Sequence, residues 1–250
     1  MMATPTIAVL AVWVVNRRTT PFRQMATETG LTLGPNRKRT LLILLTAWLG
    51  TPVLIVLAFG LSIALGLLPA DLSGMAANLR TAGLPVPENL PLVLTAQIIG
   101  SALIGPVLNA LPSLGEEWGW RGWLLPRLVE SRGVGQAVLI SGLIWGAWHA
   151  PLTLLGYNYP SLGPWAALMF TGATVLIGAL FSWLRLRSGS VWPAVIAHGS
   201  LNAVAPMIAL FAAPDTPPNY VLAGITGLTG WALMALTAAC LFRFWPVRQA

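Results

Sequence analysis

Charge is what this chain has least of. Only 8% of its 250 residues are Asp, Glu, Lys or Arg, against roughly 25% in an ordinary soluble domain. So few charges cannot cover a water-facing surface, which excludes a soluble globular protein. Acids are scarcer still, seven against 14 bases. The net charge of +7 would suit a nucleic-acid partner if the bases formed a stripe on a polar domain. They sit instead at the ends of apolar runs, where the positive-inside rule puts them, so no nucleic-acid partner is expected. The single cysteine, Cys240, lies in an apolar run and excludes a disulfide framework. A basic leader is lacking too: Arg17 and Arg18 follow the apolar stretch Ile7–Val15 rather than precede it. That stretch reads as a retained anchor, not a cleaved signal.

What the chain does have is hydrophobic length. Apolar residues make up 56% of it, and several runs reach the ~20 residues that cross a bilayer. Beyond the marginal Ile7–Val15 they are Leu41–Leu68, Pro91–Leu111, Val134–Leu155, Leu162–Leu184, Val191–Ala212 and Tyr220–Phe242. The runs are continuous rather than alternating, which argues against a β-barrel. Asn16–Thr40 is a polar segment, and Pro69–Leu90, Gly156–Ser161 and Pro214–Asn219 are linkers. The expectation is an all-α, polytopic transmembrane bundle of about seven to eight helices, with residues 1–250 forming one integral membrane domain.

Gly115–Val129 is a short charged helix candidate between two spans. If it does not cross, 13 of the 14 Lys and Arg residues fall on the side of the Asn16–Thr40 loop and only Arg80 lies opposite. If it crosses, Arg185, Arg187, Arg243 and Arg248 change sides. The positive-inside rule therefore favours an arm that enters without traversing, with the C-terminus cytoplasmic.

That arm carries Glu116, Glu117 and Arg121. An ionisable group at mid-membrane costs about 2.5–3.5 kcal/mol, so three exposed to lipid would cost on the order of 8–10 kcal/mol. They must face protein or water. Glu117 and Arg121 are four apart, on one helix face, and form an ion pair. Glu116 is left without an intrahelical base, which suits it to general acid–base work. The chain's only two histidines, His149 and His198, both lie in spans. His198 and Asn202 are again four apart and present two donors to one point, as an oxyanion requires. Blander readings exist for each. Ser113-x-x-Glu116 matches a capping box, Asn202 could bridge helices, and a buried His is often only hydrogen-bonded. Gly142-x-x-x-Gly146 marks close helix packing, and Trp118, Trp120 and Trp123 are expected to wall the polar helix. By composition, however, a Glu-Glu-x-x-x-Arg string arises by chance only about 0.005 times in such a chain.

Glu116-Glu117-x-x-x-Arg121, then Trp145-x-x-x-His149, then His198-x-x-x-Asn202 resembles the three-motif signature of the CPBP family. These are the CAAX-processing and bacteriocin-processing (Abi) membrane proteases, related to the Ras-converting CAAX endoprotease. The resemblance covers roughly Pro112–Pro206 and implies a protease core at about 91–212. It implies an intramembrane endopeptidase of the bacterial cytoplasmic membrane, acting on a membrane-associated peptide or protein. Glu116 with His149 would activate water, His198 and Asn202 would hold the oxyanion, and Glu117 and Arg121 would support the geometry. The four catalytic groups are expected to line one cavity opening toward the cytoplasmic half. Trp145 stands where the motif usually has Phe, an exchange expected to matter only for packing. No cofactor is required on this reading. The alternative is Zn2+ held by Glu116, His149 and His198, disfavoured because Asn is a poor zinc ligand and no His-Glu-x-x-His helix is present. A non-catalytic membrane chaperone or immunity protein on the same fold is the competing reading. A proton-coupled transporter is another, although no repeated halves are visible.

Overall fold

Helices account for the regular structure in the computed structural model, which describes residues 1–69, 71–212 and 218–247. The expected linker at Pro214 and the basic residue Arg248 fall largely or wholly outside them. The helices are α1 (Thr4–Asn16), α2 (Phe22–Glu28), α3 (Arg37–Ala64), α4 (Ser73–Thr81), α5 (Leu90–Leu108) and α6 (Ala110–Glu117). After a π-helical turn, Trp118–Leu124, come α7 (Leu125–Leu154), α8 (Trp165–Ser188), α9 (Trp192–Val204) with a 3-10 extension Ala205–Phe211, and α10 (Leu228–Phe244). Five segments are long and apolar enough to cross a membrane, with α1 and α10 as shorter apolar helices. This is the expected transmembrane bundle.

Three boundaries depart from the sequence reading. α2 and α4 lie within segments read as loops; at seven and nine residues they are too short to carry a clear period. α10 begins at Leu228 rather than near Tyr220, because Gly224 turns the chain with φ 79°, a conformation open mainly to glycine.

The charged arm is longer than its sequence bounds, and its return is fixed by one residue. Helix runs from Ala110 through Leu154 with one non-helical residue, Gly133, at φ 74° and ψ 168°. A straight helix would separate Glu116 and Trp145 by about 44 Å; instead their side chains are hydrogen-bonded at 2.8 Å. The chain therefore folds back at Gly133, and residues 110–132 and 134–154 are the two arms of a hairpin. The returning arm packs on α8 through the expected glycines. A Cβ on Gly142 would lie 2.6 Å from the Val175 Cα, and one on Gly146 equally close to the Thr171 Cα.

Two ends of the bundle are defined by contacts. At the basic end, Arg185 donates to the Glu28 carbonyl, Val191 N–H to Gly30 and Thr40 to Ser188, while the Trp183 indole donates to the Trp245 carbonyl. Trp118 reaches the same end through Thr29. At the other end Asn78 donates to Ala212, Ser62 meets Thr229 and Tyr159 donates to Thr226. Burial holds the Tyr159 phenol above its usual range, so it stays a neutral donor. Arg80 is on α4 at this second end. Arg121 corrects the count: it faces neither end but is wholly buried. α9 sits centrally, packed against α3, α5, α6 and α8, with most of its residues buried, whereas few of those on α5 are.

This layout predicts that single cysteines at Arg18 and Ser131, in a Cys240→Ala background, react with an impermeant maleimide from one side. One at Thr81 should react from the other. All three native residues are exposed, and labelling of Ser131 and Thr81 from one side would refute the fold-back.

Candidate active site

Three stretches of helix bring their polar residues to one place: the outgoing arm with Glu116, Glu117 and Arg121, the returning arm with Trp145 and His149, and α9 with His198; among the described residues no contact joins Asn202, also on α9, to the cluster. Glu117 is the centre. Its Oε1 accepts from Arg121 at 2.9 Å and from His198 Nδ1 at 2.8 Å. Glu117 and Arg121 are 0% exposed and His198 4%. The expected Glu117–Arg121 pair is present; the His198 contact, 81 residues away in sequence, is beyond any helical spacing rule. The pair sits where the arm becomes π-helical at Trp118–Leu124, a distortion that recurs at functional sites.

The Arg121 guanidinium is flanked by aromatic rings, 4.2 Å from the Trp145 centroid and 5.3 Å from Phe181. Desolvated cation–π contacts contribute about 2 kcal/mol or more, which helps hold a cation out of water. Gly178 lies beside it, and a Cβ there would come within 3.1 Å of the guanidinium, a tight contact.

Glu116 is 2% exposed and takes no part in that ion-pair set. Its Oε2 accepts from the Trp145 indole N–H at 2.8 Å. The capping-box alternative fails, because Ser113 lies inside α6 and the N-cap Asn109 makes no side-chain cap bond. Trp145 is the residue the sequence reading undervalued. Beyond bonding Glu116 and stacking on Arg121, its ring lies 5.6 Å from His149 and 5.5 Å from His198, centroid to centroid. The Trp-for-Phe exchange thus adds a donor as well as filling space. The only signal for it was the departure from the motif.

The histidine rings are oriented by their acceptors. A carbonyl only accepts, so His149 Nδ1, 3.0 Å from the Trp145 carbonyl, carries the proton, and its Nε2 keeps the lone pair. His198 Nδ1 likewise faces a carboxylate oxygen, which turns Nε2 away from Glu117. His149 is half-buried among Trp148, at 4.7 Å, and Phe170, at 4.9 Å. Asn202 is half-buried one turn beyond His198 on α9. The structure therefore joins Glu116, Glu117, Arg121, Trp145 and His198 directly, and brings in His149 through the Trp145 ring.

Both carboxylates are buried, Glu116 2% and Glu117 0% exposed, and a cavity of about 420 Å³ lies at the basic end, lined by Asn36, Arg39 and Arg187 among others. Of the tryptophans on this arm, Trp118 bonds Thr29, Trp120 meets Trp148, which in turn lies against His149, and Trp123 stacks on Arg127. Among the described residues no three His, Cys, Asp or Glu side chains are grouped so as to hold a metal ion.

Residues 93–204 match the model of the type II CAAX prenyl endopeptidase Rce1-like family. A CAAX prenyl protease 2 of Methanococcus maripaludis is 27% identical over 100 residues, 38% of this chain and 37% of that protein. The chain thus aligns with little more than a third of that relative's length. No solved structure matches. The matched window contains all six motif residues and Trp145, which bears out the family resemblance read from the motifs.

The shared carboxylate sets a stability expectation. Removing one partner from a buried ion pair costs about 3–5 kcal/mol. Glu117→Ala should therefore lower the unfolding midpoint in mild detergent markedly, whereas Asn202→Ala, at a half-buried position, should change it little. Equal midpoints for wild type and Glu117→Ala would refute the structural role of this pair.

Proposed function

We propose that this chain, which carries the core of the CAAX-type membrane protease family in residues 93–204, hydrolyses a peptide bond in a membrane-associated peptide or protein. The observation that carries this reading is Glu116: a buried carboxylate, outside the ion-pair set and beside it, with one oxygen held by an indole N–H. A carboxylate so placed can accept a proton. The neighbouring Glu117 is occupied by Arg121 and His198 and is a support rather than a base.

In the reaction, Glu116 Oε1 takes a proton from water as the water oxygen bonds to the substrate carbonyl carbon. His149, with its Nε2 lone pair left available, assists in orienting that water. The carbonyl oxygen becomes an oxyanion facing His198 Nε2–H and the Asn202 amide, paired donors of the kind that stabilise such charge. For His198 to donate there it must carry both protons, and the Glu117 carboxylate on Nδ1 balances that charge. With Glu116 ionised, the two carboxylates are then matched by Arg121 and His198. The C–N bond breaks and the proton on Glu116 passes to the leaving amine. No step calls for a metal. The basic end is read as cytoplasmic, together with the C-terminus, by the positive-inside rule.

The test is cleavage of a membrane-anchored reporter by purified protein in detergent. Glu116→Gln keeps shape and hydrogen bonding but not proton acceptance, and should lose about 10²–10⁴-fold in rate. His198→Ala and Asn202→Ala should each lose about 10²–10³-fold. Chelators should leave the wild type unaffected. Full activity in Glu116→Gln ends the glutamate-base reading, and loss with chelator restored by zinc hands the site to a metalloprotease.

A further inference from the structure

We propose that Trp145 is the positioning residue of Glu116, its indole N–H fixing which carboxylate oxygen meets the water. The inference rests on the reading of Glu116 as general base and adds a residue to it. A carboxylate on a helix is free to rotate about its last bond, and a base in the wrong rotamer does not reach its proton. Here the Trp145 Nε1 holds Oε2 at 2.8 Å, which leaves Oε1 as the reacting atom.

The donor is itself immobile. Trp145 is 2% exposed, with the Arg121 guanidinium over its ring at 4.2 Å, Phe181 at 6.1 Å, and both histidines near 5.5 Å. One rigid ring therefore touches the base, the cation that pairs with Glu117, and both histidines. A phenyl ring would keep much of this packing and the cation–π contact, but would supply no donor to Glu116.

Trp145→Phe isolates the N–H. A hydrogen bond to a charged group corresponds to roughly 10- to 100-fold, so kcat should fall by about that factor, with KM within about twofold. In the Glu116→Gln background the same change should cost almost nothing further, because the two act as a unit. A purely structural role would lower the unfolding midpoint and add its loss in both backgrounds. A second readout needs no turnover. With 15N-indole-labelled protein in detergent, the N–H signal missing from Trp145→Phe is that of Trp145, and it should shift in Glu116→Gln. Unchanged kcat in folded Trp145→Phe, or an indole signal indifferent to Glu116→Gln, overturns the proposal. A signal that responds while the wild type cleaves no reporter upholds the contact and defeats the protease reading instead.

Discussion

One carboxylate oxygen, Oε1 of Glu117, accepts from both a guanidinium and an imidazole inside a helical bundle of a membrane protein. In so dry a place a charge without a partner costs several kcal/mol, and here the Arg121 guanidinium pairs with the Glu117 carboxylate while the His198 ring adds a second hydrogen bond to the same oxygen. Much of the core follows from this demand. The arm must lie against α9 to reach His198, the returning arm places Trp145 over Arg121, and α8 brings Gly178 alongside the guanidinium. The apolar residues around these groups set the dielectric, but the shared oxygen sets the register of three helices.

Legibility from sequence divides at the same place. Glu117 and Arg121 are four apart on one arm, and helical periodicity alone pairs them. The exclusion of ionisable groups from lipid picked out Glu116 and His198 as buried and His149 as turned into the protein, and the runs of apolar residues gave the spans. His198 on Glu117 was not legible, because helical spacing relates only residues on one helix and says nothing of which helix will cross it. Trp145 was hidden for a different reason. An aromatic residue in a span is ordinarily packing or an interfacial anchor, and only the position of Glu116 in space turns its N–H into a partner. The fold-back at Gly133 was half legible. Charge counting favoured an arm that does not cross independently, but no rule assigned the turn to this glycine rather than to Gly135.

The chemistry proposed for Glu116 draws on a division of labour between adjacent acids. Sequence neighbours on a helix point about 100° apart, so one can be absorbed into an ion-pair set while the other meets a neutral donor. An indole N–H steadies a carboxylate without adding a positive charge, which a Lys or Arg in its place would.

The separation of 81 residues between Glu117 and His198 bears on how the protein is made. During synthesis the acidic arm reaches the membrane well before α9 exists. Until then Glu117 has Arg121 but not the imidazole, and Glu116 awaits the indole on the returning arm. Burying the arm in lipid before α9 has followed would leave the Glu117 carboxylate short of the imidazole that it holds in the finished bundle, at the cost that ionisable groups carry there. The last polar partner to be made is thus the one that completes the arm's burial.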